Sequence, residues 1–401
     1  MRNKKKPSMS IEKQLARGPL DLPFLTLTLL LLGIGLITLL SASYPSGYYR
    51  GGNPYDIFIR QAVFAVLGIG VMYVVSRVDY QRWRGLSLIV LMISVVLLLL
   101  VKVPGLGSSA GGANRWLEIP GLPRFQPSEI AKFAVILYFS ARLSKRKEGT
   151  KGPYDPRRLG GRTLNKLHEV GFLELLPYAG VLLLMLGLLA LQPHMSATIL
   201  ILVVGASILF AAGIKLRWFI IAGGLMVTLL GLMIATTDYM TTRVQMWRNP
   251  WADPLGKGLQ AIQSLLAIGS GGLLGLGLGN SRQKFLYLPE EHNDFIFSVI
   301  CEELGFIGVT LILTLFALLI VRGYWLAMHA RDRFGSLLIV GVTTLLAFQV
   351  FLNVAVVTNL FPVTGISLPF FSYGGSALLI QLAEMGVVLA VSRQIPAQKS
   401  D

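Results

Sequence analysis

Residues 22–41 read LPFLTLTLLLLGIGLITLLS and contain no charged side chain. A run of about 20 apolar residues is what an α-helix needs to cross the hydrocarbon core of a membrane. The basic residues 1–17 before this run resemble the start of a secretory signal, but a cleaved signal has a shorter apolar core, about 7–15 residues long. We therefore interpret residues 22–41 as a retained membrane anchor and as the first of several spans.

Apolar runs of similar length recur along the whole chain of 401 residues. Hydrophobic residues make up 54% of the sequence and charged residues only 14%, whereas charged residues approach roughly a quarter in soluble globular proteins. The sequence therefore predicts an all-α integral membrane protein with about ten transmembrane helices. The predicted helices cover residues 22–41, 57–75, 86–103, 128–142, 173–191, 196–213, 217–236, 295–321, 336–358 and 373–392.

Basic residues outnumber acidic residues by 36 to 20, and the formal net charge is +16. The strongest basic clusters, at 145–147 and 157–158, fall on the same predicted side of the membrane as the basic N-terminus. Because loops rich in Lys and Arg stay in the cytoplasm, we interpret these clusters as orientation signals and expect no nucleic-acid partner. An even number of crossings then places both termini in the cytoplasm.

This topology divides the chain into three parts. We expect a cytoplasmic basic tail at 1–21, a polytopic membrane domain at 22–393 and a cytoplasmic tail at 394–401. The longest external segment, 237–294, is expected to carry function, as long loops usually do. Within it, the amphipathic residues 259–276 are predicted to pack on or dip into the membrane surface instead of crossing it.

Polar residues gather at the start of the fourth predicted helix, at Gln126, Ser128, Glu129 and Lys132. Glu129 and Lys132 are three residues apart, so they share one helical face and can form an ion pair. From the spacing alone, the pair either orients a short helix or takes part in substrate binding.

Arg115, followed by Trp116, precedes this helix on the predicted outer side. A guanidinium there suits a pyrophosphate, through paired hydrogen-bond donors, as well as it suits packing against an aromatic ring. The spacing does not choose between the two interpretations.

A second polar group lies where segment 237–294 enters the eighth predicted helix, at Glu290, His292, Asn293 and Asp294. A carboxylate at the lip of an apolar bundle loses hydration, which favours a general base, and Asp294 is closest to the helix. The alternative is that Asp294 or Asn293 caps the helix. His292 could bind a metal with neighbouring carboxylates, although the sequence lacks the His and Cys spacing of a zinc site.

The third group is the proline- and glycine-rich segment 361–376, which leads into the last predicted helix. Irregular backbone at membrane depth is tolerated only where it lines a cavity or is buried in protein. This favours a functional site at Ser372, Gly374 and Gly375.

Two further features receive structural interpretations. Glu302 and Glu303 are adjacent and therefore point to different helical faces, so at least one is expected to make an interior contact. The glycines in 275–279 lack the spacing and the strand of a dinucleotide site, and they are predicted to allow a turn or close helix packing.

Taken together, these segments resemble the signature regions of the SEDS family, the FtsW, RodA and SpoVE proteins of bacterial division, elongation and sporulation. The likeness covers nearly the whole membrane domain. Asn293 departs from the threonine usual in the family, and the runs 279–284 and 353–358 are closer to the FtsW and SpoVE branch than to RodA. The matching stretches are NRW at 114–116, QPSE at 126–129, GNSRQK at 279–284, LPE at 288–290, DFIF at 294–297, EELG at 302–305 and SYGGS at 372–376.

The resemblance implies the SEDS fold and a peptidoglycan glycosyltransferase that polymerises lipid II on the outer face of the bacterial cytoplasmic membrane, in division or sporulation. It also implies a class B penicillin-binding protein as partner, together with other divisome or elongation proteins. Two other functions remain open at this stage. A lipid II flippase would also need intramembrane ions and broken helices, and a scaffold would recruit division proteins without catalysis.

Site residues follow from the same resemblance. Asp294 matches the essential aspartate of the family and would deprotonate the acceptor sugar. Arg115 and Lys132 would stabilise the pyrophosphate, with Glu129 positioning Lys132. A divalent cation, Mg²⁺ or Mn²⁺, could assist, and no organic cofactor is expected. The other residues expected to bind substrate are Trp116, Gln126, Ser128, Glu290, His292, Ser372, Gly374 and Gly375.

Overall fold

A computed structural model of the chain describes residues 19–110, 113–118, 121, 123–146, 171–192, 194–236 and 238–395. The predicted N-terminal tail lies outside the described residues except for 19–21, and the predicted C-terminal tail except for 394–395. The basic cluster at 157–158, and Lys147 of the other cluster, also lie outside them.

All ten predicted helices are present, with ends that shift by a few residues, and two more helices form within segment 237–294. In chain order they are α1 (Leu22–Ser46), α2 (Asp56–Arg77), α3 (Gln81–Leu100), α4 (Pro127–Leu143), α5 (Phe172–Ala190), α6 (Met195–Ala211), α7 (Leu216–Thr236), α8 (Asp238–Arg248), α9 (Leu259–Gly271), α10 (Ile296–Met328), α11 (Arg333–Val357) and α12 (Gly375–Ser392).

Seven helices of the described chain are long and apolar enough to cross a membrane unaided: α1, α2, α3, α5, α10, α11 and α12. Helices α4 and α6 have 17 residues each, slightly short of the roughly 20 needed for a full span. The chain is thus a multi-pass helical membrane protein with the expected fold class. The count of ten crossings and the cytoplasmic position of both termini stay predictions.

The chain divides into two compact units. The first is drawn from residues up to 80, 229–331 and 342 onward, and in it α2 packs along α12 while α10 packs against α1 and α9. The second is drawn from 81–228 and 332–341, and in it α4 packs against α3 and α6. Helix α4 is buried along most of its length, which a lipid-facing helix would not be.

A two-stranded hairpin before α4 was not predicted. Strand β1 (Gly107–Ala110) pairs antiparallel with β2 (Ala113–Leu117), and Leu117 then exchanges backbone hydrogen bonds with Phe125. The strands have only four and five residues, and β1 reads GSSA, so the sequence shows no clear period-two pattern of apolar residues. The hairpin carries Arg115 and Trp116 to the start of α4.

The amphipathic stretch beginning at residue 259 forms α9, a helix of 13 residues that is too short to cross a membrane. It packs against the start of α10 through a hydrogen bond of 2.8 Å between Ser264 Oγ and Ser298 Oγ. Ser264 Oγ also lies 2.6 Å from the carbonyl oxygen of Val357. The helix is therefore held by protein contacts within the first unit.

Helix α10 is interrupted at Gly305, whose φ is 63° and ψ is −170°. The break exposes the carbonyls of Glu302 and Glu303, which accept hydrogen bonds from the N–H groups of Leu276 and Gly277, each 3.0 Å long. Gly275, Gly277 and Gly279 all have positive φ. The predicted turn at 275–279 is confirmed, and its backbone fills the break in α10.

The break predicts that Gly305→Ala lowers the free energy of unfolding by about 3 kcal/mol, because only glycine adopts this conformation readily. An added Cβ would also overlap the backbone of Leu274 and Gly275. Denaturant unfolding in detergent measures the change. Gly70→Ala is the control, because a Cβ there meets nothing within 4 Å and alanine favours a helix. Equal stability of Gly305→Ala and wild type would contradict the interpretation.

Candidate active site

Asp294 lies in the first unit, one residue before the N-cap of α10. The N-cap position is Phe295, so neither Asp294 nor Asn293 occupies it, and capping by either side chain stays a prediction. The carbonyl of Asp294 accepts a hydrogen bond of 2.8 Å from Asn353 Nδ2 on α11. A Cβ built on Gly365 would lie 3.2 Å from Asp294 Oδ2, so the carboxylate faces segment 361–376.

Hydrogen bonds join the second and third polar groups of the sequence. Ser372 Oγ donates to the carbonyl of Asn293 over 2.7 Å, and the N–H of Tyr373 donates to the carbonyl of His292 over 2.9 Å. Asn353 Nδ2 also donates to Ile366 O over 2.6 Å. Two segments separated by about 70 residues in sequence therefore form one structure around Asp294.

Gln61 on α2 was not predicted to take part in this structure. Its Nε2 donates to the carbonyl of Ser372 over 3.2 Å, and its Oε1 accepts from the N–H of Gly374 over 3.1 Å. An added Cβ at Gly375 would overlap the ring of Phe64. These contacts give Gly374 and Gly375 a structural role, and the signal in the sequence is a lone glutamine within an apolar helix.

The two other predicted residues of the second group lie close to the surface of this structure. Glu290 is exposed, has a φ of 61° and accepts a hydrogen bond of 2.5 Å from Asn293 Nδ2. His292 is partly buried, with Nδ1 3.3 Å from Glu291 Oε1 and its ring edge-on to Tyr373. Within the described parts of the chain, no three His, Cys, Asp or Glu side chains are grouped as metal ligands. The divalent cation stays a prediction, and no step below depends on it.

Both Glu302 and Glu303 are buried, and both bind the segment that precedes Asp294. Glu303 Oε1 lies 2.8 Å from Lys284 Nζ and 2.7 Å from Ser41 Oγ on α1. Glu302 accepts hydrogen bonds from Ser281 Oγ, 2.5 Å away, and from the N–H of Arg282, 3.1 Å away. The expectation of an interior contact is confirmed for both carboxylates, although the pairing with Lys284 was not predicted.

The predicted pair Glu129–Lys132 forms in the second unit. Lys132 Nζ lies 2.8 Å from Glu129 Oε2, and the Lys132 side chain is only 3% exposed. A lysine this deeply buried needs a counter-charge, which Glu129 supplies. The pair alone does not decide between substrate binding and orientation of α4.

Arg124 lies over the Trp116 ring, 5.7 Å from its centre. Arg124 also donates a hydrogen bond to Ser108 Oγ. Both interpretations of Arg115, pyrophosphate binding and packing on the ring, stay predictions. Its positive charge lowers the pKa of His194.

His194 was missed by the sequence analysis, and it adjoins the predicted residues of the second unit. Its Nε2 lies 2.8 Å from Gln126 Nε2, and the side chain is buried. Burial, together with the smaller effect of the charges of Arg115 and Lys132, lowers the pKa of His194 to about 3. The imidazole is therefore neutral at physiological pH. A histidine between two apolar runs was the signal available in the sequence.

The buried ion pair generates a prediction for Glu303→Gln. The change leaves the Lys284 ammonium buried without a counter-charge, and this should lower the free energy of unfolding by about 3–5 kcal/mol. Asp56→Asn is the matched control, because the Asp56–Arg60 pair is largely exposed and contributes about 1 kcal/mol or less. Denaturant unfolding compares the two, and equal small effects would contradict a buried pair.

The lowered pKa of His194 predicts a pH dependence of stability. Between pH 6.5 and about 3 the unfolded chain holds a proton on this imidazole that the folded chain does not, so stability falls as the pH drops below 6.5. At pH 5 the loss is about 2 kcal/mol. His194→Asn removes this loss, so the stability gap between variant and wild type should shift by that amount between pH 7.5 and pH 5. A gap that is independent of pH would contradict a neutral, buried His194.

Comparison with known proteins places this geometry in a family. Residues 22–396 match the FtsW/RodA/SpoVE family model, described as a cell cycle protein. A Geobacter sulfurreducens protein named "Probable peptidoglycan glycosyltransferase FtsW" is 40% identical over 94% of this chain and 95% of its own length. Stage V sporulation protein E of Bacillus subtilis is 40% identical over 93% of this chain and 97% of its own.

Two solved structures agree with the sequence relatives. A chain from a peptidoglycan synthase complex, described as coordinating polymerization and crosslinking, matches with a TM-score of 0.73 and 29% identity over 94% of this chain and 99% of its own. Rod shape determining protein RodA of Thermus thermophilus matches with a TM-score of 0.65 and 28% identity over 94% of this chain and 98% of its own. The resemblance inferred from the sequence motifs is confirmed, and this chain belongs to the FtsW/RodA/SpoVE family.

Proposed function

We propose that this chain polymerises lipid II into glycan strands on the outer face of the bacterial cytoplasmic membrane. It is a peptidoglycan glycosyltransferase, as its FtsW relatives are named. The observation that carries the proposal is the fixed position of Asp294, whose carbonyl is held by Asn353 and whose carboxylate faces Gly365. Catalytic groups need such preorganisation, and a carboxylate at the end of a membrane helix is otherwise costly.

In the proposed reaction, Asp294 accepts the proton of the acceptor sugar hydroxyl as general base. The hydroxyl oxygen then attacks the anomeric carbon of the donor and forms the new glycosidic bond. The bond between that carbon and the undecaprenyl pyrophosphate oxygen breaks, and the pyrophosphate leaves with the bonding electrons. Cationic side chains must stabilise the negative charge of this leaving pyrophosphate.

Arg115 and Lys132 are the side chains proposed for that stabilisation. Lys132 is buried and paired with Glu129, so its ammonium has a fixed position and cannot relax toward solvent. A preorganised charge in a poorly hydrated site stabilises a developing anion more than a mobile surface charge does. The other predicted substrate contacts stay proposals: Trp116, Gln126, Ser128, Glu290, His292, Ser372, Gly374 and Gly375.

A class B penicillin-binding protein is the proposed partner, and division or sporulation the proposed process. The similarity to a chain of a peptidoglycan synthase complex supports such a partner. The relatives named FtsW and Stage V sporulation protein E support the two processes. Other divisome or elongation proteins stay proposed partners as well.

The function predicts that Asp294→Asn lowers the rate of glycan formation at least about 100-fold, because the amide cannot accept the proton and general bases contribute about 10²–10⁴-fold. The assay follows polymer formed from purified lipid II, with the cognate partner present and its transpeptidase disabled. Asp56→Asn, an exposed carboxylate change on α2, should retain the wild-type rate.

Equal polymer from wild type and a folded Asp294→Asn protein would remove Asp294 from catalysis. If neither protein forms polymer, the result favours the two other functions, a lipid II flippase or a scaffold. A flippase would then move lipid II across vesicles without consuming it, and a scaffold would support division in cells that carry Asp294→Asn.

A further inference from the structure

Two helix N-termini meet in the second unit. Gln126 is the N-cap of α4 and His194 is the N-cap of α6, and neither side chain bonds to the backbone of its own helix. Instead the two side chains contact each other over 2.8 Å, Gln126 Nε2 to His194 Nε2. Both helices have 17 residues, so each directs the positive end of a full helix dipole toward this contact.

The contact fixes the position of the imidazole proton. An amide nitrogen only donates hydrogen bonds, so His194 Nε2 must be the acceptor. A neutral imidazole carries one proton, which then resides on Nδ1. Gln126 therefore makes His194 Nδ1–H a hydrogen-bond donor.

That donor has no hydrogen-bond partner among the residues that the structure describes. His194 is only 7% exposed, so bulk solvent has little access to this donor. The hydroxyl of Ser128, in the first turn of α4, is likewise buried without a partner in the described chain, and Ser128 is 2% exposed. Ser128 follows Gln126 by two residues. A buried polar group left unpaired is costly, so two of them at or near the Gln126–His194 contact indicate a ligand that completes their bonding.

The surroundings define the charge of that ligand. Arg115 and Lys132 are close enough to His194 to oppose its protonation. Two helix N-termini add to the same positive potential, which is the arrangement in which proteins bind phosphate groups. The charge of Lys132 is balanced by Glu129. The two helix N-termini and the two neutral donors favour an anion.

We propose that His194 is a substrate-binding residue whose Nδ1–H donates a hydrogen bond to a phosphate oxygen of the polyprenyl diphosphate on the lipid-linked substrate. Gln126 is a positioning residue that holds the required tautomer, and Ser128 Oγ supplies a second donor. The inference rests on the proposed function, and it names the chemical group that these residues bind. Because the imidazole is neutral, it binds the phosphate without competing with Lys132 for Glu129.

The test measures binding of farnesyl diphosphate to the full-length protein in phosphatidylcholine nanodiscs. Three variants distinguish the roles of the two ring nitrogens. In His194→Asn, the amide nitrogen occupies the place of Nδ1. In His194→Gln, the side chain reaches the place of Nε2, and His194→Leu replaces neither nitrogen. We expect His194→Asn to keep the dissociation constant within about threefold of wild type. His194→Gln and His194→Leu should raise it about tenfold or more, the loss of one hydrogen bond to a charged group.

A purely structural role of the two N-caps predicts the reverse order. His194→Gln would then preserve thermal stability and diphosphate binding through its contact with Gln126, whereas His194→Asn would lose both. That order, or equal binding by all three folded variants, overturns the inference. Farnesyl monophosphate is a second ligand for the same test. Because it also places a phosphate oxygen at this position, His194→Leu should raise its dissociation constant as well.

A lipid headgroup phosphate is the other source of the same chemistry. Phosphatidylcholine itself carries a headgroup phosphate, so the titration is repeated in nanodiscs of digalactosyldiacylglycerol, a bilayer lipid without phosphate. The dissociation constant of wild type should be unchanged. If removal of the headgroup phosphate instead tightens binding to wild type and not to His194→Leu, the site belongs to a headgroup and the assignment to substrate is overturned. Polymerisation of lipid II is measured separately, so failure of the proposed function and failure of this binding site are distinguishable.

Discussion

The buried ion pair between Lys284 and Glu303 fixes the irregular segment that precedes Asp294. Two charges taken out of water are tolerated only when they stay paired, so this segment has one low-energy position against α10. Ser41 extends the contact to α1, and Glu302 binds the adjacent backbone at Ser281 and Arg282. The break at Gly305 frees the carbonyls of Glu302 and Glu303 from the helix. These carbonyls accept hydrogen bonds from the N–H groups of Leu276 and Gly277 in the same segment. The position of Asp294 follows from these constraints together with Asn353.

The helices were predictable because lipid requires long apolar runs, and a run such as 22–41 has no other stable state. The ion pair of Glu129 and Lys132 was also predictable, since both residues lie on one helix and their spacing fixes the distance. Contacts between distant segments were not predictable by such local rules. Ser372 bonding to Asn293, and Gln61 bonding to Gly374, depend on helix packing, which a single sequence does not encode in any fixed spacing.

The same limit explains the two residues whose importance the sequence analysis underestimated. Lys284 lies in a motif that resembles the family. Its partner Glu303 lies in α10, and an irregular segment and the start of that helix separate the two residues, so no fixed spacing predicts the ion pair. His194 follows α5 and is far in sequence from Gln126, so their contact emerges only when α4 and α6 pack together. The hairpin of β1 and β2 was not predicted for a different reason, because both strands are very short and the Gly, Ser and Ala of β1 have little preference for strands.

The two units carry different chemistry. Carboxylates and the amides that support them lie around Asp294 in the first unit, and a carboxylate can accept a proton. Positive charge, helix N-termini and unpaired donors dominate around His194 in the second unit, and such groups bind anions. Proton removal and pyrophosphate release, the two parts of the proposed reaction, need these two kinds of chemistry.

The proposed reaction forms glycosidic bonds and expels a diphosphate. Phosphorus NMR follows purified lipid II in the presence of the protein and its transpeptidase-disabled partner, while glycan strands are quantified in the same sample. We expect one undecaprenyl pyrophosphate to be released for each glycosidic bond formed. Intact lipid II throughout, with its phosphorus signals unchanged by an active complex, would contradict it.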